Sequence, residues 1–412
     1  MVDETNWGGG YRYAAARLHR PATVEELQDL VAGARRIRVL GSRHSFTAIA
    51  DAEELVSLDA LPADVVVDRA AGTVACAGAV RYGELARALD AHGLALGNLG
   101  SLPHISVAGA VATATHGSGD AHGNLATAVA GLELVTSSGE LVRAARGDRD
   151  FDGMVVALGA LGAGTRVTLD VEPAYEVRQR VFEGLAWDAL FEHFDEIAAS
   201  GYSVSVFSRL GEDVDQVWVK SRTEAPAEMF GARSATVERH PILGMDAVNA
   251  TAQLGRPGPW SDRLPHFRMG FTPSAGDEIQ SEFLVARRHA TPAIDAVRGL
   301  ADVLHPVLQV FEIRTVTADR LWMSPQYERD SAALHFTWRL DQRGVERAVA
   351  ALEGALAPFE ARPHWGKLFL ADAAAIAGLY PRLADYAALV ERFDARGAFR
   401  NDWLERHVLG AA

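Results

Sequence analysis

A histidine stands in a glycine/serine turn at Gly41-Ser42-Arg43-His44-Ser45-Phe46, directly after the β-type stretch Ile37-Arg38-Val39-Leu40. Glycine there lets backbone come close to a phosphate or a ring, and a turn leaves N–H groups free to donate. Imidazole is also a nucleophile, so His44 has the chemistry of a covalent tether as well as of a hydrogen-bond donor. Taken by itself the segment also reads as a loop histidine that caps a strand end. A second element runs from Ser101 through Pro103, Ser106 and Gly109 to Thr115-His116-Gly117-Ser118-Gly119. Small residues fill nearly every position from Ala108 to Gly119, which allows backbone to lie along an extended ligand. The hydroxyls of Ser106, Thr113, Thr115 and Ser118 suit a pyrophosphate, although tight helix–strand packing calls for the same residue types. A third close-approach turn, Leu158–Arg166, leads into the strand Val167–Leu169.

Two later segments alternate in the manner of strands. Phe311-Glu312-Ile313-Arg314-Thr315 puts Glu312 and Arg314 on one face, and Leu334-His335-Phe336-Thr337-Trp338 does the same for His335 and Thr337. These four side chains form either a salt-bridged sheet surface or a polar pocket, and a pocket requires Glu312 and Arg314 to be paired. His364-Trp365-Gly366-Lys367 adds a compact His/Lys pair beside a glycine. No glycine segment fits G-x-G-x-x-G in a strand–turn–helix frame. Gly366-Lys367 is followed by Leu368 and so is not a P-loop, and a G-x-S-x-G elbow is absent. None of the 14 histidines falls in a close metal-ligand pattern, so no metal is expected.

These residues need elements to position them. Thr23-Val24-Glu25-Glu26 reads as a capping box that opens a helix over 24–35, and the strand Ile37–Leu40 follows. Further strands are expected at Leu55–Leu58, Val65–Asp68 and Thr73–Val80. A helix at Tyr82–Ala91 ends on Gly93, and Ser137-Ser138-Gly139 marks a hairpin. Irregular mixing of short strands with helices over 1–170 predicts an α+β domain and speaks against a doubly wound nucleotide fold. From about residue 175 strands are expected at Ser203–Ser208, Gln216–Lys220, Glu282–Ala286, 308–317 and 333–339, the last two adjacent in one sheet. Helices are expected at 290–304, 344–358 and 372–393, and long loops over 223–265.

With 412 residues the chain can hold about two to three domains. A net charge of -14 repels phosphate backbones and excludes nucleic acid as an expected partner. Cys76, the one cysteine, sits in an apolar stretch and is expected to be a buried inert thiol. The acidic Met1–Trp7 is not a secretory signal, and no apolar run spans a bilayer, so a cytoplasmic protein without membrane contact is expected.

Taken together, Gly41–Phe46, Ser101–Gly119, Leu158–Val167, Glu312–Arg314, His335–Thr337 and His364–Lys367 are arranged in an order that resembles the alditol (xylitol) oxidases of the vanillyl-alcohol-oxidase-type FAD family. The resemblance runs from Thr5-Asn6-Trp7 to Gly397–Asn401. It implies a two-domain, PCMH-type FAD-binding α+β fold: an FAD domain over 1–174, a cap over 175–362 and a segment 363–412 that returns to the FAD domain.

The resemblance also implies roles. His44 matches the covalent flavin link. Val39, Leu40, Gly41, Ser42, Arg43, Ser45, Ser101, Ser106, Gly109, Thr113, His116, Ala163 and His364 match positions that hold the cofactor. Ser101, Glu312, Arg314, Thr337 and Lys367 match the polyol-binding set, with His335 beside them, and the catalytic residues are Ser101, Lys367 and His335. The implied reaction is oxidation of the alditol C1 hydroxyl to the aldose, with hydride passing to flavin N5 and O2 reduced to H2O2, in a monomeric enzyme. His335 and Lys367 both remain candidates for the proton. A sugar-1,4-lactone oxidase or dehydrogenase of the gulonolactone type is the alternative, and a non-catalytic sugar binder on a relict flavin fold is a second. Arg43 stands where the family favours a small residue, Asp394–Gly397 lacks the family's proline, and Gly100 leaves room near the flavin for dioxygen.

Overall fold

A computed structural model describes residues 2–270 and 277–411. The chain begins with a parallel three-stranded sheet in which Glu54–Val56 lies between Arg17–His19 and Ile37–Val39. The helix Val24–Gly33 connects two of these strands, burying Leu27 and Val31. Thr23 caps it, accepting the Glu26 N–H at 3.2 Å, but the Glu26 carboxylate takes the N–H of Ala22. The capping box is therefore half formed. The helix stops short of residue 35 because Ala34 turns extended and leads into the strand.

A second, antiparallel sheet orders Val65–Asp68, Thr73–Ala77, Ala163–Asp170, Val129–Val135 and Leu141–Ala145 side by side. Cys76 is buried in it, and burial pushes its thiol up to about 12. The helix Tyr82–Ala91 ends as expected, with Gly93 at φ +66°, a left-handed position where glycine carries no Cβ penalty. Gly139, at φ +82°, closes the expected hairpin.

The third sheet is nine-stranded and carries the polar rows. Its centre is Leu308–Val316 paired antiparallel with Ser331–Arg339, which in turn pairs with Glu278–Ala286. Phe311, Ile313, Phe336 and Trp338 face the helices Ala290–Arg298 and Gln342–Leu356 in one apolar core. The expected helix over 290–304 breaks after Arg298, and that over 372–393 divides into Ala373–Ala377 and Leu383–Phe393. Pro381 lies in the second gap, where it lacks an N–H and cannot continue a helix. Residues 223–265 hold only short regular pieces between longer loops.

The last segment runs back against the first sheet. Ile37 donates its N–H to the Ala398 carbonyl at 2.8 Å, and the Asn401 amide donates to the carbonyls of Ala48 and Asp51. Arg38, fully enclosed, donates to the carbonyls of Ile49, Leu158, Gly159 and Phe399, so one guanidinium ties four separate segments together. Among the described residues no helix is long and apolar enough to cross a membrane.

Candidate active site

The turn after Ile37–Val39 is held from both ends of the chain. Trp7 donates its N–H to Arg43 O at 2.8 Å, the Asn6 amide donates to Ser45 O at 3.0 Å, and Phe46 donates to Gly366 O at 2.9 Å. Arg43 adopts φ +63°, a left-handed conformation that costs a non-glycine residue about 1–2 kcal/mol. Its guanidinium is anchored on Glu4 at 2.9 Å. The turn thus accommodates arginine by strain plus an ion pair. It presents His44 with its ring stacked on Trp7 at 5.2 Å and 17°. Both His44 ring nitrogens are buried without a hydrogen-bond partner, and burial pushes the imidazole down to about 4. A buried polar pair without partners is costly. Here the cost falls where a ligand would meet it.

His44 opens into a cavity of about 380 Å³ between the antiparallel sheet and the nine-stranded sheet. Its walls include Val39 to Ser45, Ser101, Ser106, Gly109, Thr113 and His116 on one side, and Glu312, Arg314, His335, Thr337, His364 and Lys367 on the other. Ala163 is the exception among the sequence candidates. Side chains alternate along Ala163–Asp170, so Ala163 packs into the core with Val135 while its neighbours Gly162 and Gly164 line the cavity. Ser118, grouped by sequence with the pyrophosphate hydroxyls, instead donates to Val204 O in the interior.

Glycine is required at specific points of this wall. A Cβ on Gly78 would stand 2.2 Å from Gly164 O, and Gly162, at φ +149°, would place one 2.4 Å from Val135 O. Gly100 is open: its Cβ would meet nothing nearer than Ile105 Cδ1 at 3.6 Å.

The polar end is built by strand register. Glu282, His335 and Glu312 lie opposite one another across three adjacent strands, forming one row on the cavity face. Arg314 clamps Glu312, with Nε donating to Oε1 at 2.5 Å and Nη2 to Oε2, and Nη2 also donates to Ser101 Oγ at 2.5 Å. His266 Nε2 approaches Glu312 Oε1 at 3.0 Å. Lys367 Nζ donates to Glu282 and stands 2.7 Å from His335 Nδ1, while His335 Nε2 stands 3.2 Å from Thr337 Oγ1. Burial raises both carboxyls, but Arg314 and His266 at Glu312, and Lys367 and His116 at Glu282, hold them well below the usual range. Burial and Lys367 push His335 down to about 4, and burial lowers Lys367 itself. Two carboxylates are thus balanced by two cations within one enclosed site. His364 turns Nδ1 onto the Gly366 N–H at 3.1 Å and shapes the Gly366-Lys367 turn.

Sequence reasoning passed over Glu282, Gln280, His266 and Lys220. The first two had a signal: Glu278, Gln280 and Glu282 recur at every second position along Glu278–Ala286, as Glu312 and Arg314 do along theirs, although Ser281 interrupts the apolar face. His266 lies in an irregular loop and Lys220 in an apolar strand, where neither spacing nor neighbours distinguish them.

The arrangement provides an unpartnered imidazole and close backbone at one end, and alternating donors and acceptors at the other. It suits an elongated cofactor with phosphates and a ring beside a small, uncharged, hydroxylated substrate.

The FAD binding domain family matches residues 15–145, and the D-arabinono-1,4-lactone oxidase family matches residues 278–407. Alditol oxidase of Streptomyces sp. (strain IKD472 / FERM P-14339) is 52% identical over 97% of this chain and 97% of its own. L-gulono-1,4-lactone dehydrogenase of Mycobacterium tuberculosis (strain CDC 1551 / Oshkosh) is 29% identical over 98% and 99%. Cholesterol oxidase from B. sterolicum superposes with a TM-score of 0.80 over 98% of this chain and 96% of its own, at 16% identity, a likeness of fold alone.

Proposed function

This chain belongs to the alditol oxidase family of FAD-linked oxidases, and from that premise we propose that it oxidises the C1 hydroxyl of alditols such as xylitol and sorbitol, giving the aldose and hydrogen peroxide. The observation that carries the reading is the Glu282–His335–Glu312 row, flanked by Arg314, Ser101 and Lys367. A polyol is uncharged and covered in hydroxyls, so its site needs many donors and acceptors and little apolar wall. Glu282 and Glu312 are paired with Lys367 and Arg314, which leaves hydrogen bonding to select the substrate.

The cavity fits FAD on three observations: the partnerless His44 nitrogens, the glycine backbone of Gly41, Gly109, Gly162 and Gly164 along its wall, and the hydroxyls of Ser106 and Thr113. When bound, FAD accepts two electrons from the alcohol carbon and passes them to dioxygen. In our reading His44 is the covalent link, residues 1–174 with 363–412 hold the cofactor and 175–362 form the cap. Ser101 and Arg314 bind and orient hydroxyls. Of the Lys367–His335 pair, 2.7 Å apart, the neutral His335 ring takes up the C1 hydroxyl proton, and Lys367 is the cation that ties the pair to Glu282. The reading extends to a monomeric, cytoplasmic enzyme, checked by sedimentation and cell fractionation.

Steady-state peroxide release with xylitol and sorbitol, set against gulonolactone, tests the substrate class. Preference for the alditols is expected; preference for the lactone would replace this reading with the lactone oxidase one.

A further inference from the structure

Beside Glu312 lies a second chain of buried groups, reached through His266. Lys220, on the strand Asp213–Ser221, is wholly enclosed, and its Nζ has three acceptors: Leu264 O, Pro265 O at 3.1 Å and His266 Nδ1 at 3.1 Å. Burial and the neighbouring Arg314 push Lys220 well below the usual lysine range, and the three acceptors hold its amine in place by hydrogen bonds. The loop that carries His266 is fixed in place, since His266 and Phe267 both donate their N–H groups to Ser101 O. The ring is boxed edge-on by Phe207 and Trp218.

The partners determine the tautomer. Glu312, held ionised by Arg314, needs a donor from the ring, so Nε2 carries the proton and Nδ1 accepts a hydrogen from Lys220 Nζ. Nε2 faces Glu312 Oε1 at 3.0 Å, with Ser205 Oγ further off at 3.4 Å. The opposite tautomer would set a bare nitrogen lone pair against a carboxylate that Arg314 keeps ionised.

The geometry points to Lys220 and His266 as positioning residues for the alditol site: Lys220 holds His266 in its Nε2–H form, and His266 fixes the Glu312 carboxylate that receives the substrate hydroxyls. Oε1 is then occupied by Arg314 Nε and His266 Nε2, and Oε2 by Arg314 Nη2 alone, so the acceptor capacity left on Oε2 faces the polyol. Lys220 touches neither substrate nor cofactor in this arrangement. The inference rests on the alditol reading of the same site.

The test is a comparison of KM and kcat for xylitol in purified, flavin-loaded enzyme. His266→Leu removes the donor and is expected to raise KM about tenfold or more with a smaller change in kcat, the size of one hydrogen bond to a charged group. His266→Gln retains an N–H at the Nε2 position and is expected to recover most of that loss. Lys220→Met should raise KM about tenfold in the histidine background and add little in the His266→Gln background, where no tautomer remains to be set. Flavin absorbance per protein and thermal midpoint report whether each variant folds. Should Lys220→Met fail to fold, the Leu/Gln pair decides: equal KM values for the two, or a His266→Leu enzyme with wild-type KM, would overturn the inference. A wild-type enzyme that turns over lactone and no alditol would instead overturn the functional reading, and this inference with it.

Discussion

Two residues carry opposite kinds of buried cost. His44 holds two partnerless nitrogens against Trp7, a cost that a bond to a ligand would relieve. His44→Ala should therefore yield enzyme whose flavin is released into the supernatant by acid precipitation, whereas wild-type protein keeps its flavin in the pellet. Retention of colour in the variant pellet would exclude His44 as the link. Lys367 shows the converse case, a cation that makes a buried carboxylate tolerable. Lys367→Met leaves Glu282 enclosed with only His116 and His335 in contact and Arg314 further off. Breaking such a pair costs about 3–5 kcal/mol. The thermal midpoint should drop by several degrees and alditol turnover by about a hundredfold or more, the scale of a disrupted proton-transfer pair. A variant with wild-type turnover would remove Lys367 from the proton path.

At the scale of elements, glycine divides into two kinds. Gly78 lies where two strands must touch beside the cavity, and a methyl there meets the Gly164 carbonyl at 2.2 Å. Gly78→Ala should destabilise the protein by about 1–3 kcal/mol and lower the flavin bound per chain, read from the ratio of visible to ultraviolet absorbance. Gly354, within the helix Gln342–Leu356, has nothing within 4 Å of its would-be Cβ. Gly354→Ala should raise stability by about 0.5–1 kcal/mol through helix propensity alone, visible in denaturant unfolding. The strands tell a related story. Alternation along 311–315 and 334–338 was readable because their outward residues are polar and their inward ones aromatic. Along Glu278–Ala286 three polar residues recur at every second position, but Ser281 blurs the apolar face and an apolar run follows, so the polar face carries less signal.

For the whole molecule, the buried histidines make stability depend on pH in a defined direction. His335 is pushed down to about 4 and His266 to about 3, from an ordinary value of 6.5. Below pH 6.5 the unfolded chain takes up protons that these folded rings refuse, so stability falls as pH drops toward 4. Each ring contributes up to about 1.4 kcal/mol per pH unit in that window. Glu282 and Glu312 have the same sign and act lower: their contribution is present above the ordinary carboxyl value and is lost as acidification continues below it. The thermal midpoint should thus decline steadily as pH falls from about 7 through the mildly acidic range. A midpoint that stays level on mild acidification would contradict the buried neutral rings.

The chain also closes on itself at this scale. Arg38 and Asn401 join the first sheet to the last segment through carbonyls alone. Those contacts connect residues more than 300 positions apart, and no local pattern announces them.

That separation marks the boundary between what residue order conveys and what folding adds. The turn at His44, the small-residue run through Gly109, the two alternating strands and the His364–Lys367 motif are local features, set by chemistry within a few residues, and they could be read directly. So could most strand and helix positions, since side-chain period is a local property. The pairing of Glu282 with Lys367, the alignment of Glu282, His335 and Glu312, and the Lys220–His266 support are different in kind. Each depends on strand register and loop placement between segments far apart in the chain. Ala163 shows the same dependence: its strand's alternation turns the side chain into the core, while Gly162 and Gly164 on either side line the cavity. The residue types made a flavin-and-polyol chemistry available, and tertiary packing decided which charges meet, because a buried charge is tolerated only where the fold brings its partner.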